Sequence, residues 1–396
     1  MIDRLSRLAA VACLGLLAAA CGGGDEATPP PQPPPPPTPV AATADTTPAP
    51  VATAAPAPKP SLAELEATAG KTILDAMNAR DAAKYASVYS DDVQYNVAGM
   101  PPTNGKADLV KGTQMFFDQF KDLKFWITRT WTSNDMVVTE WGWTGTDTGG
   151  MMGKPATNKA AGSLGVTIAW FTPDGQIKKE NRYSDFGTIA AQLGMAGKMK
   201  AKPVPTAASS IEAHVAKGTP DEAKLNDWAK TQYAAMDAKK EADWLATMDD
   251  NADFWDSAAP TEKPMKGKAE AKKFFGMWTK AFPDAATTIV TSTPVEDFVI
   301  VETEMKGTQK GALGPIAASK KPVDLHAVDI YQVKDGKMIH GWGYSNGMEL
   351  MMQIGAIKGP GDPSRTNGAK PDDKAKPTEK GTKPADAKGT TGKPKP

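Results

Sequence analysis

The 396-residue sequence predicts an α+β fold laid down twice in tandem. In each half amphipathic helical patterns come first and strand-like apolar runs follow, the segregated order of α+β domains. Each half also closes with a strand, an Asp-Gly turn, a second strand and a short helix. In the first half these are Trp170 to Ile177, then Tyr183-Ser184-Asp185, then Gln192-Leu193-Gly194; in the second, Tyr331 to Met338, then Tyr344-Ser345-Asn346, then Gln353-Ile354-Gly355. Asp174 and Asp335 stand 161 residues apart, as do Asp185 and Asn346, while Gly105 and Gly267, or Gly145 and Gly307, stand 162 apart. A near-constant spacing across several motifs identifies a repeat.

The first half begins at Ser61, where Ser61-x-x-Glu64 after Pro60 makes a capping box, and Leu62, Leu65, Ile73, Leu74 and Met77 mark one helical face. A short helix is expected from Asp81 through Tyr85 to Val88-Tyr89, a loop around Pro101-Pro102, and a third helix from Gly105-Lys106-Ala107 to Phe120. Strands are expected over Phe125 to Trp131, Met136 to Thr144, Leu164 to Phe171 and Ile177 to Tyr183. The second half repeats this with helices over Asp221 to Met236, Glu241 to Met248 and Gly267 to Phe282, and Asp297 to Ile300 answers Asp135 to Val138. Each Asp-Gly is read as a two-residue type I′ turn, which needs positive φ at both positions. The domains are placed at 61–196 and 218–358, with a linker over 197–217.

The two ends differ in composition. Arg4 and Arg7 precede an apolar run from Leu8 to Ala20, too short to span a bilayer but suited to an export signal. It ends Leu17-Ala18-Ala19-Ala20-Cys21, which resembles a bacterial lipoprotein signal with Ala18 where Leu is usual. On that reading 1–20 is a signal peptide, Cys21 is lipidated, and the protein is exported to the cell envelope and anchored to a membrane. The alternative is ordinary cleavage, with Cys21 incidental. The Pro-, Ala- and Thr-rich segment 21–60 reads as an extended tether, and the Lys/Pro/Gly-rich 359–396 as a disordered tail.

Lys plus Arg and Asp plus Glu number 46 each, and neither a Gly-rich phosphate loop nor a basic stripe is present, so no nucleic-acid partner is expected. The only cysteines are Cys13 and Cys21, which removes disulfides, thiolate nucleophiles and cysteine metal sites from the folded part. His214, His326 and His340 are badly spaced for zinc, and His214 is expected in a solvated linker; no metal or cofactor is assigned.

Each half resembles the SnoaL-like polyketide cyclase or ester cyclase family, within the NTF2-like superfamily. The resemblance rests on Gly-Lys-Ala opening the third helix, Phe282-Pro283-Asp284, Trp141-x-x-x-Gly145-Thr146-Asp147-Thr148-Gly149, the Asp-Gly hairpin and the closing Gln-Leu-Gly or Gln-Ile-Gly. It spans Leu62–Gly194 and Ala223–Gly355. It implies, in each half, a cone of curved antiparallel sheet closed by helices around a pocket. Family members include cyclases, isomerases and proteins without demonstrated chemistry.

Strand alternation assigns inward faces. Leu164, Val166, Ile168 and Trp170 are taken as interior, and pairing across the turn then brings Lys179, Asn181, Tyr183 and Asp185 inward. The same logic faces Leu325, Ala327, Asp329 and Tyr331 toward His340, Trp342, Tyr344 and Asn346. Asp329, placed at the position of Ile168, would lie opposite Trp342 and diagonal to His340. Beside an indole its pKa should rise toward that of a general base, with His340 orienting it or sharing its proton; the plainer reading is a buried carboxylate bonded to Trp342 or His340. Asp185 best matches the acid/base aspartate that the resemblance implies. The catalytic candidates are thus Asp185, Asp329 and His340, and the ligand contacts Trp141, Lys179, Asn181, Tyr183, Tyr331, Trp342, Tyr344 and Asn346. Methionines such as Met151, Met152, Met195, Met348, Met351 and Met352 suit an apolar lining or plain packing. Neither half holds the family's full set, since Asn181 stands where members carry Trp and Asn346 replaces the aspartate. Three functions follow: a module binding a small apolar or aromatic molecule; a metal-independent cyclase, isomerase or hydratase using an aspartate; and a structural unit whose cones pair through their sheets, with each other or with a second copy.

Overall fold

The computed structural model describes residues 60–150, 154–196 and 199–357; the signal-like run, Cys21, the tether, Met151 and Met152 and the tail lie outside the described residues. The first half contains α1 (Leu62–Ala79), α2 (Ala82–Ala86), β1 (Tyr89–Val97), β2 (Thr103–Asn104), α3 (Lys106–Gln119), β3 (Lys124–Ser133), β4 (Met136–Thr146), β5 (Ala160–Phe171), β6 (Ile177–Ser184) and α4 (Phe186–Gln192). After β7 (Glu212–Val215), the second half contains α5 (Pro220–Asp237), α6 (Glu241–Ala246), β8 (Met248–Asp256), β9 (Met265–Lys266), α7 (Gly267–Ala281), β10 (Ala286–Val295), β11 (Phe298–Thr308), β12 (Pro322–Lys334), β13 (Lys337–Ser345) and α8 (Gly347–Gln353). The Ser61 capping box is present, and Thr219 with Glu222 forms its counterpart on α5, so both long helices start with two backbone donors satisfied.

Each half is a curved sheet with helices against one face. The strand orders are β2-β1-β6-β5-β4-β3-β7 and β10-β11-β12-β13-β8-β9. Both sheets are mixed, because β1 runs parallel to β6 and β8 parallel to β13. Strands β1 and β8 depart from the expected helix-to-loop stretches. The polar starts Ser90-Asp91-Asp92 and Asp249-Asp250-Asn251 conceal an alternation that Val93, Tyr95 and Val97 carry further on. The linker likewise supplies a strand, β7, which pairs parallel to β3 and covers that edge. Matching one-residue bulges interrupt β3 between Ile127 and Arg129 and β10 between Ile289 and Thr291. An extra residue on one strand bends the pair, which is how such sheets curve.

The two hairpins are not built alike. Asp335 (φ 51°) and Gly336 (φ 71°) form the expected two-residue turn between Lys334 and Lys337. In the first half Pro173 locks its φ near −65°, and the reversal instead runs from Thr172 to Gln176 with only Gly175 left-handed (φ 80°). A bulge then restores the expected pairs Val166–Tyr183 and Ile168–Asn181. In the second half a bulge at Ile339 shifts the register by one, so Asp329 pairs with Gly343 and Ile330 with Trp342.

The two sheets also pack against each other, so each buries side chains on both faces. Val166, Ile168, Tyr183, Trp131 and Val138 of the first half form one core with Val328, Ile330, Tyr344, Phe298 and Ile300 of the second. The apolar face of β5 therefore meets the other sheet and not a cone interior. Polar contacts across this contact are reciprocal. Tyr183 donates to Glu302 Oε1 (2.5 Å), and Tyr344 at the equivalent ladder position donates to Glu140. Glu140 also takes both prongs of Arg129 (2.6 and 2.7 Å), whereas Thr291 stands in the arginine's place opposite Glu302. The Arg129 guanidinium lies 3.7 Å from the centre of the Trp342 ring. His214, expected in solvent, instead packs between Trp131 and Phe298 and bonds Glu296 (2.8 Å), because β7 carries it onto the sheet edge.

The first turns of α4 and α8 meet at the same contact. Asp185 accepts from Gly187 and Thr188 of its own helix and from Gly347 N–H of the other (3.0 Å). Asn346 accepts from Met348 and from Phe186 N–H (3.3 Å), and donates to the Ala98 carbonyl. One carboxylate near two helix N-termini is favoured by their dipoles; a second beside it would repel it. Asn346→Asp should therefore destabilise the chain by on the order of 2 kcal/mol at neutral pH, and adding Asp185→Asn should restore most of that. Urea melts of the three variants decide it: equal midpoints for the single variant and the parent would show that the charges are not close enough to matter.

Candidate functional site

The sheet contact settles where each candidate side chain lies. Lys179, Asn181, Tyr183, Trp342 and Tyr344 are on the sheet-to-sheet side and not inside a cone. Lys179 Nζ sits 4.6 Å over the Trp170 ring, and Asn181 donates to Glu302 Oε1 (2.5 Å). Asp185 and Asn346 are helix caps, as described. His340 is exposed on a sheet face and bonds Asp253 (3.0 Å), away from Asp329. Trp141, Asp329 and Tyr331 do face cone interiors. The parity is inverted for two reasons: in the first half the most apolar strand face covers the other half of the chain and not a pocket, and in the second the Ile339 bulge turns Trp342 and Tyr344 to the opposite face.

Ladder positions make the two interiors directly comparable. In the first, Arg182 pairs with Thr167 and Val97, and Glu180 with Ala169 and Tyr95. In the second, Gly343 pairs with Asp329 and Asp256, and Gly341 with Tyr331 and Phe254. Asp329 thus takes the place of Thr167 and not of Ile168. Two glycines replace a buried ion pair.

The first cone is filled. Arg182 donates to Glu180 and Tyr85, its guanidinium lies 4.7 Å from the centre of the Tyr95 ring, and Tyr89 bridges Tyr85 and Glu180 (2.7 Å to each). Both charged residues are about 1% exposed or less, and Trp141 nearby gives its indole N–H to Thr167 (2.8 Å). Phe116, Phe120, Phe125, Trp141 and Trp143 pack the remainder.

The second cone is open by comparison. Asp329, Asp256, Phe254 and Tyr233 are half-buried, where Thr167, Val97 and Tyr95 are fully buried. Asp329 Oδ2 accepts from Tyr233 (2.5 Å) and Tyr331 (3.1 Å), while Asp256 Oδ1 accepts from Ala258 N–H and Ser345. The other oxygens converge: a Cβ on Gly343 would meet Asp256 Oδ2 at 2.9 Å, Phe254 Cζ at 3.0 Å and Asp329 Oδ1 at 3.1 Å. Removal from water pushes the Asp329 carboxyl up to about 6, with Asp256 adding repulsion against the two tyrosine hydrogen bonds. Asp256 is also raised by desolvation, offset in part by the Ala258 amide and by the charge of Lys202. Asp329, raised to about 6 and held by two tyrosines beside a second carboxyl whose pKa is also raised, can take and return a proton. Asp256 and Tyr233 were not singled out from sequence, because Asp256 ends the unrecognised β8 and Tyr233 reads as one more residue of a helix face.

Two other places are less suited to chemistry. Glu304, Asp324 and His326 converge on β11 and β12 closely enough for a cation, but Lys306 Nζ already lies 2.6 Å from Glu304 and 3.6 Å from Asp324. A surface hollow of about 560 Å³ bordered by Asp284, Lys306 and Gln353 opens at the sheet edge, on residues other than those around Asp329.

Three solved structures that the chain resembles each align with about a third of it. They are TsrD from Streptomyces laurentii (18% identity, 35% of this chain and 100% of that one, TM-score 0.32), a protein of Jannaschia sp. CCS1 described as SnoaL-like (19%, 35% and 96%, 0.33), and IdmH from Streptomyces antibioticus (17%, 33% and 97%, 0.30). No protein of curated function matches. The SnoaL-like polyketide cyclase family matches twice, over residues 67–193 and 229–354, together more than half of the sequence. The chain belongs to the SnoaL-like polyketide cyclase family and carries that domain in tandem.

Proposed function

We propose that the second half is an acid–base site for proton transfer on a small carbonyl compound, an isomerisation or cyclisation, and that the first half is its scaffold. The observation that carries this is the exchange of Glu180 and Arg182 for Gly341 and Gly343, which lets Asp329 Oδ1 and Asp256 Oδ2 converge over Gly343 where a salt bridge stands in the other cone. In the reaction Asp329 Oδ1 removes a proton from the carbon next to the carbonyl. The enolate electrons then shift to a new C=C or attack an internal electrophile, and Asp329 returns the proton it took. Tyr233 and Tyr331 hold Oδ2, so the basic oxygen keeps a fixed direction. Family membership supports cyclase or isomerase chemistry and ligand binding alike. Solvent-deuterium exchange into a panel of small enolisable ketones, followed by NMR, tests it. Exchange should exceed the buffer rate and vanish in Asp329→Asn; no exchange across the panel would favour a binding role alone.

We also propose that the chain works outside the cytoplasm on a lipid anchor at Cys21, a reading supported by the signal-like run before it. Labelled fatty acid should enter the wild-type protein and not Cys21→Ser, and the wild type should sediment with membranes. Equal labelling of both would remove the anchor.

A further inference from the structure

We infer that Lys202, a residue of the linker between the halves, is the positioning residue of the second cone: its ammonium, held at Ser257, acts on Asp256 and so keeps the transferred proton on Asp329. This rests on the second cone being the acid–base site and goes further, to what chooses between its two carboxyls. Such a choice is needed. Asp256 Oδ2 and Asp329 Oδ1 converge over Gly343, at 2.9 and 3.1 Å from the point a Cβ there would take. Two carboxyls that converge in this way share a proton unless their surroundings differ. Asp329 is the one whose second oxygen two tyrosines hold, so a proton that passed to Asp256 would leave the aimed group.

Lys202 is fixed at both ends. Its ammonium donates to the carbonyl of Ser257, the residue after Asp256. Ser257 is itself tied to β13: its N–H goes to the Gly343 carbonyl (2.9 Å), and its hydroxyl donates to the Ser345 carbonyl and accepts from the Ser345 N–H (3.0 Å each). At the backbone end, Gln192 of α4 donates to the Lys202 and Pro203 carbonyls (3.3 Å each), while its Oε1 accepts from Gly162 N–H (2.9 Å). The first half thus holds the lysine in place for the second. Other groups around the pair pull in both directions. The Ala258 amide and the Ser345 hydroxyl favour the ionised form of Asp256, and Asp185 at the start of α4 opposes it. Tyr233 and Tyr331 favour the ionised form of Asp329, and the Asp256 charge opposes it. Lys202 adds a full positive charge on the Asp256 side, which directs the proton to Asp329. The first cone takes its counter-charge, Arg182, from its own strand; the second takes one from the chain that joins the halves.

Carbon-13 NMR of the aspartate carboxyls tests this on the whole chain, titrated from about pH 3 to about pH 8, with Asp256→Asn and Asp329→Asn assigning the two signals. Lys202→Met should raise the Asp256 midpoint by about one pH unit. Lys202→Gln, a second neutral variant, should do the same, and Lys202→Arg, which keeps the charge, should not; melting curves confirm that each is folded. An Asp256 midpoint unmoved in both neutral variants would overturn the inference, as would an equal rise in Lys202→Arg, which would trace the effect to packing and not to charge. Deuterium exchange is read on the same samples. A raised midpoint with no exchange into any ketone would remove the proton-transfer reading and leave the role of Lys202 standing. Exchange with an unmoved midpoint would do the reverse.

Discussion

Arg182→Met is expected to be the most damaging single substitution in the chain, costing about 3–5 kcal/mol of stability. It leaves Glu180 charged and almost fully buried, with only the Tyr89 hydroxyl still donating to it. The double variant Glu180→Leu with Arg182→Met should recover most of the loss, since apolar groups of similar size need no counter-ion there. Urea unfolding of the two single variants and the double measures it. A cost below about 1 kcal/mol for Arg182→Met would mean that water reaches the cone, contrary to the filled interior. The same pair of changes should leave activity in the second cone untouched.

Asp329→Asn should reduce turnover by about 10²–10⁴-fold with little change in stability, the usual range for a general base. The wild-type rate should climb as pH rises through about 6, because Asp329 is protonated below that value and cannot accept a proton. An amide does not titrate there, so the residual rate of the variant should lose that limb. Asp185→Asn should leave turnover unchanged, as its carboxylate caps two helices outside either cone. A pH–rate profile of Asp329→Asn that overlays the parent would sink the assignment.

The repeat, the family and most elements were legible because they depend on local chemistry: capping boxes, turn glycines and apolar periodicity. Facing was not legible. Alternation shows that Val166 and Ile168 share a side with Tyr183 and Asn181, but it does not show which side meets helices and which meets a second sheet. Both sides of β5 are buried, so hydrophobicity alone had no basis for choosing. Register in the second hairpin failed for a similar reason, since the Ile339 bulge leaves no mark in a sequence that already has a sound Asp-Gly turn. Asp329 stands out in the sequence beside Trp342, but that ring lies on the opposite face. Its raised pKa comes instead from desolvation and Asp256.

The contact between the halves also bears on how the two cones came to differ. In a two-fold pair of separate identical chains every substitution is made twice, so an acid at the meeting helix tips would face another acid. Covalent fusion lifts that constraint: Asp185 can meet Asn346, and Arg129 can serve Glu140 while Thr291 serves Glu302. Fusion also keeps the partner at high effective concentration whatever the expression level, so one copy can give up an internal ion pair without losing the surface that supports it. Divergence of this kind is open to a single gene with two halves and closed to a homodimer.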